Sequence, residues 1–335
     1  MKYLVSTQYV ESKYKSAVVV FDGYRDHLST KDCTHTRRSR LQPGVTVEFD
    51  LSMKLQTKKE VFLSNPKNKQ RFINMLGTKL KSKGCVVHHA RGDADVLIVD
   101  TAIAASSGKD TVVIADDTDI LALLIYNGQK ARHSLWFQPN QKKDSKKGQR
   151  CWNISATREH LGNLVCDNIL FLQSILGCDT TSRLYGIGKC AAVVRIKNDE
   201  FFHSQAQLFM TPRANQMDVI QAGEKALLKL YNGHTDENLN ELRLRKFCDK
   251  SVNSTKAVEP ESLPPTKAAA KYHSLRVYQQ VQVWMGNEQD VPPEQWGWRI
   301  VDGRMIPVMT DLPPAPQEFL EVIHCNCKTG CYSLR

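Results

Sequence analysis

Short, unbroken apolar runs alternate along the chain with stretches whose apolar positions recur every three to four residues. Ala17-Val18-Val19-Val20-Phe21, Cys85-Val86-Val87-His88-His89, Thr111-Val112-Val113-Ile114-Ala115 and Ser134-Leu135-Trp136-Phe137 are of the first kind. Their length and β-branched content predict strands, and continuous rather than alternating hydrophobicity predicts burial on both faces. Between them lie helical spacings: Phe72, Ile73, Leu76 and Leu80 in residues 68–83, then Val96, Leu97, Val99, Ile103 and Ala104 in residues 93–107. Leu121, Leu123 and Leu124 mark a further helix over residues 119–127. Gly84 and Gly108 stop the first two.

Strands alternating with helices predict an α/β fold, a parallel sheet with helices on both faces. Residues 1–16 read as a polar helix. Residues 24–66 have no period apart from the alternating piece Val45-Thr46-Val47-Glu48-Phe49, and are expected to leave the core as a long charged excursion. A core over residues 1–155 is followed by a mostly helical region over 156–249, and a polar, Pro-containing linker over 250–268. A small helix and hairpin region over 269–324 follows, with a turn at Asp302-Gly303, and then a Cys-rich segment over 325–335. Trp284, Trp296 and Trp298 are expected to pack in its core, with a protein-interaction surface as the other reading.

Charge adds a partner class. The formal net charge is +11, a surplus that attracts polyanions. It is concentrated: 13 basic residues face four acids between positions 31 and 83. A second patch holds Lys142, Lys143, Lys146, Lys147 and Arg150. The apolar runs are all too short to cross a membrane. No secretory signal is legible at the N-terminus, so the expected location is nuclear or cytoplasmic, the nucleus favoured.

The acids fall where strands end and helices begin. Asp22 closes the first strand, Asp93 and Asp95 follow the second, and Asp116, Asp117 and Asp119 follow the third. Asp179 comes after a strongly apolar helix. In a parallel sheet the first three groups meet at one edge, where ligands bind. Carboxylates crowded together repel, and a hard divalent cation, Mg²⁺ or Mn²⁺, is the natural compensation. Two such ions can drive in-line phosphoryl displacement. Each Asp alone could equally be a helix cap, and Asp117-Thr118-Asp119 alone would also suit a Mg²⁺ phosphatase.

Four segments, Val20-Phe21-Asp22-Gly23, Gly92-Asp93-Ala94-Asp95, Ala115-Asp116-Asp117-Thr118-Asp119 and Leu176-Gly177-Cys178-Asp179 with Tyr185-Gly186-Ile187-Gly188-Lys189, carry a resemblance. Over about residues 10–200 the chain resembles the PIN-like domain of the flap endonuclease family of structure-specific nucleases. The resemblance implies a metal-dependent hydrolase cutting branched or flap DNA, with RNA as the other candidate substrate. It gives metal-site and catalytic positions to Asp22, Asp93, Asp95, Asp117, Asp119 and Asp179, with Asp116 a neighbour. Asp93 and Asp95 stand where the family commonly has Glu, one methylene longer. Gly186, Ile187, Gly188 and Lys189 would form the turn of a helix–hairpin–helix-like element on a duplex phosphate. Arg37 and Arg38 would approach the scissile phosphate from the basic excursion, with Arg40 beside them on the nucleic acid. The family's fold begins with a strand and an acid upstream of Met1, so the chain reads as N-terminally truncated. That allows a second function, a nucleic-acid-binding remnant without turnover. A looser resemblance is to nuclease-like proteins carried in animal mobile elements.

Ten cysteines are present. Seven are scattered singly and read as reduced packing residues. Cys325, Cys327 and Cys331 crowd together with thiolate spacing that suits Zn²⁺, His324 being the nearest fourth ligand.

Overall fold

The computed structural model describes residues 17–23, 28–31, 33–34, 44–50, 52–139, 150–234, 236–253 and 256–313. The helix expected over 1–16, Arg37, Arg38, Arg40, most of the basic patch after residue 141, and the cysteines Cys325, Cys327 and Cys331 lie outside them.

The fold is mixed α/β and dominated by helix. In order it runs β1 (Val18–Phe21), α1 (Lys59–Leu63), α2 (Pro66–Lys81), β2 (Val86–His89), α3 (Asp95–Ala105), β3 (Thr111–Ile114) and α4 (Thr118–Asn127). Then come β4 (Leu135–Gln138), β5 (Trp152–Asn153), α5 (Ile154–Leu161), α6 (Asn163–Asp167), α7 (Ile169–Ile175) and α8 (Lys189–Ile196). The last elements are α9 (Glu200–Met210), α10 (Gln216–Leu230), α11 (Leu239–Asn253), α12 (Lys267–Trp284), β6 (Trp298–Val301) and β7 (Arg304–Pro307). The four apolar runs are β1 to β4, and the helical spacings are α2, α3 and α4.

The strands do not hydrogen-bond into one sheet. β1 pairs in parallel with β2, Val18 opposite Val86 and Phe21 opposite His89. β3 pairs in parallel with β4, Thr111 opposite Leu135, and β5 adds antiparallel to β4. Among the described residues the expected sheet is therefore two small ones. Strand pairing is non-local, and four-residue runs carry no mark of their neighbours.

The alternating piece over 45–49 is extended but is no strand. Side chains of α2 hold it instead. Asn68 accepts from Val47 N–H at 2.8 Å and donates to the Val45 carbonyl at 2.9 Å, and Arg71 donates to the Phe49 carbonyl at 2.8 Å. Asn65 caps α2, accepting from the N–H groups of Lys67 and Asn68, with Pro66 preset for the first turn.

The main core runs from Val99 on α3 to Trp296. Its centre is α12, which begins at a Thr266 cap and packs against α7, α9 and α10. Twelve of its 18 residues are buried, so it is an interior helix rather than a covering one. α11 ends at Asn253 and α12 begins at Lys267, so the expected linker shortens at both ends. β6 and β7 form a hairpin through a two-residue turn, Asp302 (φ 49°) and Gly303 (φ 68°), the geometry that suits the twist of an antiparallel pair.

Candidate metal centre

α3 and α4 start where β2 and β3 end, and although those strands belong to separate sheets the two helix N-termini bring acids together. Asp95 opens α3 and Asp119 lies in the first turn of α4. Asp117 caps α4, its Oδ1 accepting from Asp119 N–H at 2.9 Å. Negative charge is favoured at such positions by the unpaired N–H groups of the first turn. One ligand atom from each of Asp95, Asp117 and Asp119 lies within 4.8 Å of the others. Opposite ligands of an octahedral Mg²⁺ stand about 4.2 Å apart and neighbouring ones about 3 Å, so the trio would have to draw together by about 1 Å to close on such an ion.

Asp95 is 6% exposed and Asp119 4%. Burial pushes the Asp95 carboxyl up to about 8; Lys31 opposes the shift, while Asp93 and Asp117 add to it. Burial likewise pushes Asp119 up to about 6; Gln173 opposes it and Asp117 adds to it. Gln173, on α7, donates to Asp119 Oδ1 at 2.5 Å and to Thr118 Oγ1 at 3.0 Å, fixing the carboxylate in place. Carboxyls held this high are destabilised as anions, which a divalent cation between them would reverse. The donor set is all hard oxygen, as Mg²⁺, Mn²⁺ and Ca²⁺ prefer.

One cation of the chain is already present. Lys31 Nζ stands 2.6 Å from Asp93 and 3.2 Å from Asp95. Burial works against its charge, but Asp95 and Asp93 prevail and hold its pKa above the usual lysine range. Asp93 therefore joins the group through Lys31. Asp22 reaches the same end of α3: its Oδ1 accepts from Ala94 N–H at 3.1 Å, just before the helix.

Asp117 and Asp119 line a cleft of about 1070 Å³, which also takes in Asp116 and Asp179. The loop before Asp179 crosses over itself at Gly177, where φ is 106° and an added Cβ would stand 2.7 Å from Arg183 Cα. Only glycine fits that crossing. Thr34 Oγ1 donates to the Asp179 carbonyl at 2.6 Å, and the Cys33 thiol to the Met305 carbonyl at 3.3 Å. Of the expected hairpin, Gly186 turns the chain at φ 73°, Gly188 stands before the first turn of α8, and Ile187, Gly188 and Lys189 line the cleft. Burial lowers the Lys189 pKa, with Asp119 acting against the shift.

The structure thus gathers Asp95, Asp117 and Asp119 tightly, puts Asp116, Asp179 and the residues of 187–189 on the same cleft, and uses Asp22 to hold the α3 N-terminus. Sequence reasoning missed Lys31 and Gln173. Gln173 carried a signal, as a polar residue in the apolar run Leu170-Phe171-Leu172-Gln173-Ser174-Ile175. No family model matches the chain, and a search of the curated proteins finds no match.

Proposed function

We propose that the chain is a divalent-metal-dependent phosphodiester hydrolase acting on nucleic acid. The observation that carries this reading is the meeting of Asp95, Asp117 and Asp119, from separate segments, within 4.8 Å at the ends of parallel strands. Their raised carboxyl pKa values and the adjoining large cleft support it, as does the +11 net charge.

A bound Mg²⁺ or Mn²⁺, or a pair of them, supplies Lewis-acid activation of a water and of the phosphoryl oxygens. The residues do the rest. Asp95, Asp117 and Asp119 hold the cation, and Gln173 keeps Asp119 from turning away. Lys31 neutralises Asp93 and Asp95 until metal and substrate arrive. Lys189 and Gly188 beside it give the cleft a wall on which a phosphate can rest.

The finer form of the proposal is a PIN-like, flap-endonuclease type of enzyme for branched or flap DNA, with Asp22, Asp93 and Asp179 completing the acid set and a nuclear location. The order of the acids and the Asp179-to-Lys189 segment support it. Zn²⁺ at Cys325, Cys327 and Cys331 belongs to the same proposal, outside the described residues.

One observation favours a second reading, nucleic-acid binding without turnover. Lys31 already occupies the Asp93–Asp95 pair, which leaves less negative charge for a second ion. The experiment is cleavage of flap, hairpin and single-stranded oligonucleotides in Mn²⁺, beside Mn²⁺ calorimetry. We expect cleavage that falls at least about a hundredfold in Asp117→Asn/Asp119→Asn together with loss of Mn²⁺ binding. Salt-sensitive binding with no cleavage at any metal concentration would establish the second reading. Cleavage unchanged in the double variant would remove the carboxylates from the mechanism.

A further inference from the structure

The far wall of the cleft comes from α12 and the β6–β7 hairpin, through Arg276, Trp298, Pro307 and Met309. Arg276 is the unusual member. It is 2% exposed, yet among the described residues no carboxylate pairs with it. Its hydrogen bonds go to the backbone carbonyls of Gly297 (3.4 Å) and Val308, and both leave from Nη1. The guanidinium stands 6.0 Å from the centre of the Trp298 ring.

The Nε–Nη2 edge has no hydrogen-bond partner among the described residues. That edge can donate two parallel hydrogen bonds to one phosphate. Nor does the fold seal it from water: the sealed and unpartnered polar atoms among the described residues are His273 Nδ1, Gln279 Oε1, Trp284 Nε1 and Trp298 Nε1. A buried cation needs an anion, and here the accessible side is a cleft. Burial lowers the Arg276 pKa to about 10, which still leaves it charged at neutral pH. Lys189 and Arg183 line the same cleft and offset part of the negative charge that Asp116, Asp117, Asp119 and Asp179 bring to it.

We propose that Arg276 is an anion subsite of this cleft, taking a phosphate of the bound nucleic-acid strand other than the one at the carboxylates. The assignment rests on the hydrolase reading for the identity of the strand. The Nε–Nη2 edge faces the phosphate while Nη1 stays tied to the hairpin, so β6 and β7 hold the guanidinium in position.

The experiment uses the full chain in EDTA, where metal contributes nothing, and measures anisotropy of a labelled single-stranded oligonucleotide across a salt series. Arg276→Gln is expected to weaken binding about tenfold and to lower the salt slope by about one. Arg276→Lys, which keeps the charge but loses the fork, should fall between. Lys225→Gln, exposed on α10 and away from the cleft and the basic stretch, should change neither. Circular dichroism establishes that each variant is folded. Should both Arg276 variants unfold, the wild-type chain decides: inorganic phosphate should raise its melting temperature above that in chloride of equal ionic strength, and no such rise overturns the subsite. Wild-type affinity and slope in a folded Arg276→Gln also overturn it. If that variant cleaves in Mn²⁺ as the wild type does, the subsite falls and the hydrolase stands. If binding in EDTA depends on Arg276 but Mn²⁺ brings no cleavage, the subsite stands and the hydrolase falls.

Discussion

His273 sets a pH limit on this fold. It lies on α12, 4% exposed, with Nε2 donating to the Ile175 carbonyl at 3.0 Å and Nδ1 without a partner. Burial, with the Arg276 charge nearby, pushes its pKa down to about 4 from the usual 6.5. The unfolded chain therefore takes up a proton that the folded chain refuses. The neutral ring's contribution is complete above pH 6.5 and is lost as pH falls from there through 4. A shift of that size corresponds to about 3 kcal/mol. Urea unfolding at pH 7.5 and pH 4.5, on wild type and His273→Leu, checks this. The variant should be the less stable at pH 7.5, and the gap should shrink or reverse at pH 4.5; an equal gap at both would refute it. Single residues were unevenly legible in the sequence. Asp117 and Asp119 stood out because they sit between a strand end and a helix start, where the sequence offered a cap or a metal ligand; Asp117 does cap α4, and both acids meet Asp95. Lys31 could not, because one lysine in a basic stretch looks like any other until the chain folds it against Asp93 and Asp95.

At the scale of elements, the tightest joint is between α10 and α12. A Cβ built on Gly223 would stand 1.9 Å from Ser274 Oγ and 2.5 Å from its Cβ, so the two helices meet through a glycine. The Ser274 hydroxyl is itself held, donating to the Ala270 carbonyl at 2.8 Å. In an exposed helix, alanine in place of glycine would stabilise by about 1 kcal/mol. Here the forced separation should outweigh that, and Gly223→Ala is expected to lose about 1–3 kcal/mol net. Gly223→Ala/Ser274→Ala, which removes the hydroxyl, should recover part of the loss in thermal melts; a Gly223→Ala melt above wild type would contradict the joint. The short strands and α2 to α4 were readable because apolar runs and spacings are local. α12 was read as a helix, but its depth was not legible. It buries Arg276, Gln279, Gln280 and Gln282, residues that normally mark a wet face. Gln280 and Gln282 are tolerated because partners arrive from distant segments: Gln280 accepts from Thr180, and Gln282 donates to the Phe209 carbonyl.

For the whole molecule, the question is whether the segment after residue 266 is an appendage or part of the core. Composition suggested an appendage, since a polar stretch with prolines precedes it. The packing argues otherwise. Val277, Tyr278 and Val281 have no exposed surface, Trp284 is 4% exposed, and Tyr278 stacks on Trp296 with ring centres 4.4 Å apart. The Tyr278 hydroxyl donates to the Thr211 carbonyl and accepts from Ala214 N–H, both at 2.9 Å, closing the turn between α9 and α10. Burying five such side chains contributes on the order of 10 kcal/mol, comparable with the whole stability of an ordinary domain. The same segment holds the Asp179 loop through Thr180 Oγ1 donating to Gln280, and its Met305 carbonyl accepts from Cys33, next to the Thr34 that bonds Asp179, so the cleft depends on it too. A chain ending at residue 266 is therefore expected to show no cooperative urea transition and to bind a hydrophobic dye, whereas one ending at residue 313 should unfold in a single step. If the shorter chain unfolds cooperatively with an undiminished denaturant slope, α12 is dispensable, and the carboxylates must be held by the first 266 residues alone.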